Sequence, residues 1–230
     1  MENRTKASFG KQAEGLTLDG ARTILLVSVG QRYHEADKLR ATVDLINRSG
    51  FGLCTIAVAD TLQRNNYIGM SEDEAYAHSL RAGDEWLTRN AEILGGLEVE
   101  HEVLRWDEAL AHEDYAGLKK LVEDKYHTDP VYRGAVNSTI GKFMDRLTKR
   151  DENADLEAAF NGCLTYLIEE CPIIMPLWAA QGYDTVIYPQ PMTSAMAMTY
   201  ELFVRPFHPG KGNWLSLKFK KRAQAAEATA

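Results

Sequence analysis

Residues 23–60 read TILLVSVGQRYHEADKLRATVDLINRSGFGLCTIAVAD. The run Thr23–Val27 is apolar and rich in β-branched side chains, the pattern of a buried strand. The stretch after it spaces Leu39, Val43 and Ile46 at helical intervals and stops at Gly50. LCTIAVAD, residues 53–60, is a second β-branched run that ends in a polar turn. Strand, helix and strand in this order predict a right-handed βαβ unit with parallel strands, because parallel neighbours need a crossover and that crossover has a fixed hand.

The alternation continues outward from this unit. A long amphipathic stretch runs from Ser71 to Leu94, a strand lies within LEVEHEVLRW, and helical patterns follow near 113–126 and 132–149. DLEAAFNGCLTYLIEECP is helical by period, with Asp155 placed to cap its start and Pro172 to break or kink its end. Gly182 and the apolar run TVIYP come next. No internal repeat or low-complexity linker interrupts the chain. The expected architecture is a doubly wound α/β fold with a mostly parallel sheet. One domain spans residues 21–222, and the polar residues 1–20 and the tail 223–230 are expected to be disordered.

The chain has 230 residues, 45% of them apolar and 26% charged, enough for one sizeable core. Its N-terminal segment is polar and lacks an apolar signal region, and no run of about 18 apolar residues stands out, so a cytoplasmic protein with no membrane partner is expected. Cys54, Cys163 and Cys171 are odd in number and lack CxxC spacing; they read as buried, reduced thiols, with neither a disulfide nor a metal. The net charge of −7 argues against indiscriminate nucleic-acid coating and against DNA as a partner. The charge is nonetheless uneven. Residues 97–115 hold seven acids against Arg105, whereas 205–222 hold six basic residues and no acid.

Several nucleotide and hydrolase signatures are missing. The turn after the first strand, SVGQRY, is not GxGxxG; GxxxxGK[ST] occurs nowhere, and Ser28 is not in a GxSxG elbow. Ser28 still ends a strand, where α/β proteins place chemistry, although such a serine also suits a loop backbone that needs an acceptor. His34, six residues on, is a weak candidate for its base. Tyr166 and Glu170 are four residues apart and share one helix face amid Leu164, Leu167, Ile168 and Ile173. A carboxylate in such surroundings needs a partner or a raised pKa, whether as a structural hydrogen bond or as a catalytic pair. Tyr188 ends the strand TVIYP, and ligands gather at the carboxyl ends of parallel strands.

Ser28, the Tyr166-x-x-x-Glu170 pair and Tyr188, in this order and spacing, resemble the cyclodipeptide synthases, which make cyclic dipeptides from aminoacyl-tRNAs. Gln31 and the Tyr188-Pro189 dipeptide resemble the Tyr-Pro branch of that family, and GDEWLTRN, residues 83–90, is similar to the helix after its second strand. The likeness spans roughly residues 22–215 and draws its weight from the conjunction of short motifs. It implies a Rossmann-like domain related to the catalytic domain of class I aminoacyl-tRNA synthetases, without ATP, metal or organic cofactor; HIGH-type and KMSKS-type segments are indeed missing. It also implies Ser28 as the nucleophile that carries an aminoacyl ester, Glu170 and Tyr166 as holders of the aminoacyl moiety, and Tyr188 as a proton shuttle. Ile24, Leu26, Ile173 and Val186 are expected to line the first side-chain pocket, with core packing as the alternative, and Gln31 to lie near the second.

Aminoacyl-tRNAs are the implied partners, met by a monomer. The family's helix after the second strand offers Arg81 and Arg89 here, against six acids between Ser71 and Leu94. Lys218, Lys220, Lys221 and Arg222 compete for that role, and Lys142, Arg146, Lys149 and Arg150 recur at helical spacing; a solvated tail and helix face is the bland alternative. Two other functions remain open on the sequence: a serine esterase or amidase built on Ser28, and a tRNA-binding module without catalysis.

Overall fold

The computed structural model describes residues 5–221. Among these residues six strands form one sheet: β1 (Thr5–Phe9), β2 (Arg22–Ser28), β3 (Leu53–Ala59), β4 (Glu100–Arg105), β5 (Thr185–Tyr188) and β6 (Asn213–Lys221), in the order β1-β6-β5-β2-β3-β4. Every pairing is parallel except β1 with β6. The central strand β2 pairs with β3 on one side and β5 on the other, setting Ile24 beside Thr55 and Val186. The chain therefore winds outward through β3 and β4, then returns to the opposite side of β2. The reversal between β2 and β5 is a topological switch point, the crevice where open α/β sheets bind their ligands.

Alternation along the strands divides the core into two layers. Leu25, Val27, Ile56, Val58, Ile187 and Leu215 face helices α1 (Ala36–Asn47) and α2 (Glu72–Leu94). Ile24, Leu26, Ala57, Val186 and Trp214 face the other layer. That layer holds α4 (Tyr115–Thr128), α5 (Pro130–Arg150) and α6 (Leu156–Pro172), after the short α3 (Trp106–Leu110). Ser71 closes a capping box with Glu74 at the start of α2, and Asp155 caps α6 by accepting from the Ala158 amide.

One expectation about the fold needs correction. Residues 5–20 are not structureless: β1 adds to the long free edge of β6, with Ala7 buried opposite Phe219 and Phe9 opposite Leu217, its ring against that of Phe51. Pairing this edge removes a row of open backbone groups, a reason for a polar segment to fold. Residues 1–4 and the tail 223–230 lie outside the described residues. Pro172 ends α6, as its place in the sequence suggests, but the helical run does not stop there: a π-helical turn, Ile173–Leu177, which contains Pro176, carries the chain on into α7 (Trp178–Ala180). The continuous segment Leu156–Ala180 is consequently long and apolar enough to cross a membrane, yet 72% of its most apolar window is buried inside the fold, where it serves as the core helix.

Candidate active site

The site lies at the carboxyl ends of β2 and β5, roofed by α6 and the 3₁₀ turn Thr61–Asn66 that follows β3. Ser28 is the last residue of β2. It points to the α6 face by alternation with Ile24 and Leu26, and Gly30 at φ 86° lets the chain turn away directly behind it. Tyr188, the last residue of β5, reaches up from the same face. Its hydroxyl lies 3.1 Å from Ser28 Oγ. A second phenol, Tyr33, lies 2.8 Å from the Tyr188 hydroxyl. Burial raises the pKa of both phenols, so both stay protonated at neutral pH.

Helix α6 brings the carboxylates. Glu169 and Glu170 are consecutive and both buried, and they are treated differently by their surroundings. Arg64 grips Glu169 in bidentate fashion, Nη1 to Oε1 at 2.9 Å and Nη2 to Oε2 at 2.5 Å, while Trp106 Nε1 donates to Oε1 at 3.0 Å. Among the described residues, no cation pairs with Glu170. Loss of solvent raises its pKa to about 8, with the hydrogen bond from Tyr166 only partly opposing the shift. Tyr166, partly buried, is pushed up in turn by burial and by the neighbouring Glu170, and Gln63 Nε2 donates to its hydroxyl at 3.4 Å. Gly162 permits the close fit of the 3₁₀ turn on α6, since a Cβ there would come within 2.5 Å of the Asn65 carbonyl.

Ser28, Tyr166, Glu170 and Tyr188, four residues spread over 160 positions of sequence, thus converge on one crevice. A strand-end hydroxyl with a hydroxyl partner, beside a buried carboxyl of raised pKa, is an arrangement that acyl transfer from an ester bearing an amine can use. His34 does not join them as a base. It is 2% exposed, burial lowers its pKa to about 3, and the hydrogen bond of Ser28 Oγ goes to Tyr188. Its Nε2 has no partner among the described residues, and its ring stacks obliquely on Tyr188 with centroids 5.5 Å apart. Ile24, Leu26, Ile173 and Val186 are at most 2% exposed and form the closed core beneath the crevice; in this geometry they pack as a floor. Pro189 is buried behind Tyr188 and Gln31 is exposed on the loop.

The basic residues are distributed by strand geometry. Lys218 and Lys220 share the face of Trp214, the α6 face, while Lys221 points to the opposite side. Register sets Lys6 opposite Lys220, so the cross-strand group on the site's face is Lys6, Lys218 and Lys220. Arg222 lies outside the described residues. Arg89 is engaged by Glu35 at 2.8 Å, and Arg81 is exposed on α2. Sequence reasoning missed Tyr33, whose neighbour His34 was the more conspicuous residue, and Arg64, whose partner Glu169 is 105 positions away.

Solved structures share this arrangement of strands and helices. A CDPS (cyclodipeptide synthase) from Fluoribacter dumoffii is 35% identical, with 96% of this chain and 100% of that one aligned at a TM-score of 0.89. A cyclodipeptide synthase from Candidatus Glomeribacter gigasporarum, solved bound to Phe-tRNAPhe, is 19% identical over 92% of each chain, at a TM-score of 0.71. A Mycobacterium tuberculosis protein, described as demonstrating that cyclodipeptide synthetases are related to type I tRNA synthetases, is 16% identical over 96% of this chain and 95% of its own, at 0.66. The last two likenesses speak for the fold alone. No protein-family model matches the sequence, and no curated protein matches it.

Removing one partner of the Arg64–Glu169 pair leaves a buried charge alone. Arg64→Met is expected to cost roughly 3–5 kcal/mol in urea unfolding, and adding Glu169→Gln, which keeps an acceptor for Trp106, to restore at least about half of it. Equal stability of wild type and Arg64→Met would deny the pair this role.

Proposed function

This chain belongs to the cyclodipeptide synthase family, and from that premise we propose that it joins two aminoacyl-tRNAs into a 2,5-diketopiperazine by ping-pong acyl transfer through an ester on Ser28. The observation that carries the reading is the hydroxyl pair Ser28–Tyr188 at the switch point, 3.1 Å apart and facing a buried carboxyl that has no cation of its own.

Each residue has a role in the sequence of bonds. Ser28 Oγ attacks the ester carbonyl of the first aminoacyl-tRNA; the bond from the carbonyl carbon to the ribose oxygen breaks, and the first tRNA leaves. The α-ammonium of the held aminoacyl group supplies the charge that Glu170 lacks. An opposite charge at close range favours the carboxylate, so the two ionise together in the crevice. Tyr166, fixed between Gln63 and Glu170, holds the aminoacyl moiety over Ser28. Glu170 takes a proton from the ammonium, the free amine attacks the ester carbonyl of the second aminoacyl-tRNA, the carbon–ribose oxygen bond breaks and the second tRNA leaves a dipeptidyl ester on Ser28. The amine of the second residue then attacks that ester, and the carbon–Oγ bond breaks as a proton returns to Ser28 through Tyr188. A serine esterase working through His34 is disfavoured by the full burial and low pKa of that ring. Gln31 on the loop and Pro189 behind Tyr188 support assignment to the Tyr-Pro branch.

A net acidic protein must meet tRNA through a local basic surface. Lys218 stands at the level of Ser28 on the same sheet face, two strand spacings or about 10 Å to the side. Lys220 and Lys6 extend the patch beyond the site mouth. We assign the acceptor-stem phosphates to this stripe.

Expression in a bacterial host with mass analysis of the medium tests the function. Wild type is expected to release a cyclic dipeptide and Ser28→Ala none, with the variant's unfolding transition unchanged. A cyclic dipeptide from Ser28→Ala, or none from a soluble wild type, would contradict the reading.

The triple variant Lys6→Ala, Lys218→Ala, Lys220→Ala is expected to weaken aminoacyl-tRNA binding and to flatten its salt dependence by ~0.7–0.9 in log–log slope for each phosphate that no longer meets a lysine. An unchanged slope would move the tRNA surface off this stripe, to Arg146 and its neighbours on α5.

A further inference from the structure

Tyr33 belongs to the loop behind Ser28, and none of the roles assigned to the other site residues requires it. Its hydroxyl is 2.8 Å from that of Tyr188, which is in turn 3.1 Å from Ser28 Oγ. The two rings meet edge to face, with centroids 5.8 Å apart and planes at 80°, so packing fixes the hydroxyl contact. A hydroxyl carries one proton and accepts two. Three in a row can therefore align their O–H bonds in either direction without changing any heavy-atom position.

The surroundings of this row are one-sided. Tyr188 is enclosed by the His34 ring at 5.5 Å and the Trp214 ring at 5.5 Å, and the indole N–H of Trp214 is committed to the Gln190 carbonyl. His34 itself is neutral at any working pH. Tyr33 and Tyr188 are both partly buried, Tyr33 the less so, and Tyr33 stands at the end of the row away from Ser28. The charged groups that act on it are Glu170 and Arg146, which oppose each other.

We propose that Tyr33 is the solvent-side link of a three-hydroxyl relay, Ser28–Tyr188–Tyr33, that moves the protons of ester formation and release at Ser28. The relay rests on the acyl-enzyme reading of the preceding subsection, and Tyr33 acts through Tyr188 as a positioning residue. In ester formation the Oγ–carbon bond forms and the carbon–ribose oxygen bond breaks. The Ser28 proton passes to Tyr188, the Tyr188 proton to Tyr33 and the Tyr33 proton to water, while the departing ribose oxygen takes one proton from water. In ring closure the nitrogen–carbon bond forms and the carbon–Oγ bond breaks. The relay then runs backward, and the proton gained by Oγ equals the one lost by the attacking amine. Neither phenol needs to persist as a phenolate, in keeping with the burial that holds both protonated.

Two replacements test the relay: Tyr33→Phe, which keeps the edge-to-face packing, and a fluorinated tyrosine incorporated at position 33, which keeps the shape and makes the phenol more acidic. Labelled aminoacyl-tRNA is mixed with excess enzyme in water–deuterium oxide mixtures, and ester on the Ser28 peptide is followed with time. Tyr33→Phe is expected to slow ester formation on the order of tenfold, with unchanged apparent affinity for aminoacyl-tRNA. It should also turn a curved dependence on deuterium fraction into a straight one. The fluorinated tyrosine is expected to move the alkaline limb of the rate profile to lower pH. Wild-type rate and curvature in Tyr33→Phe would overturn the relay; if that variant fails to fold, an unmoved pH profile with the fluorinated residue overturns it alone. If wild type forms no ester on Ser28, the acyl-enzyme reading falls and the relay falls with it.

Discussion

Helix α6 buries two adjacent carboxyl groups, and among the described residues only Glu169 is given a cation. Taking a carboxylate out of water costs several kcal/mol unless charge and hydrogen bonds replace the solvent. For Glu169 that replacement is complete: the Arg64 fork and the Trp106 indole occupy its oxygens, and in the same contacts they tie the 3₁₀ turn and the start of α3 to the helix. For Glu170 it is left incomplete, with Tyr166 as its hydrogen-bonding neighbour and its pKa raised to about 8. A raised carboxyl pKa opposes stability as pH rises, because the folded form holds a proton that the unfolded chain releases between its ordinary value of 4.5 and about 8. Under the proposed function, a substrate ammonium would remove this deficit.

The sheet determines what that deficit faces. Because the chain reverses direction between β2 and β5, the carboxyl ends of these two strands are flanked by no shared connection, and Ser28 and Tyr188 stand at the rim of the gap. The floor under them is closed by Ile24, Leu26 and Val186. The loop 29–35 is anchored to α2: Trp86 Nε1 donates to the His34 carbonyl, and Arg89 and Asn90 both donate to Glu35. The residues of 83–90 thus hold the loop that carries Tyr33. Gly83 serves in the same region, since a Cβ there would come within 2.5 Å of Asp60, the buried carboxylate that joins the end of β3 to Arg105.

Much of this was legible in the sequence, for reasons that differ by element. The parallel core strands read clearly because both faces are buried and β-branched residues run without interruption, as in Thr23–Val27 and Leu53–Ala59. Strand β1 did not, since TKASF holds only two apolar side chains and its reason to form is the open edge of a strand two hundred positions later. The Tyr166–Glu170 pair was visible because helical spacing is local. The Arg64–Glu169 pair and the Tyr33–Tyr188 contact were not, because they depend on which turn is packed on which helix. In NWLSLKFKK the two-residue alternation of Trp214, Leu215, Leu217 and Phe219 divides Lys218 and Lys220 from Lys221, a signal that is present in the sequence but hidden while the lysines are counted as one run.

The central claim is that Glu170 is a neutral acid in the free enzyme, waiting for a positive charge. Carbon-13 labelling of glutamate side chains, with the Glu170 resonance identified by its loss in Glu170→Gln, allows its carboxyl to be titrated directly. The account predicts a midpoint near 8 for the free enzyme, about 8 being the value that burial imposes, and a fall toward the ordinary carboxylate range when an amino-acid ester occupies the crevice. A Glu170 carboxyl that titrates at an ordinary value of about 4 to 5 in the free enzyme, and does not respond to the ester, would contradict it.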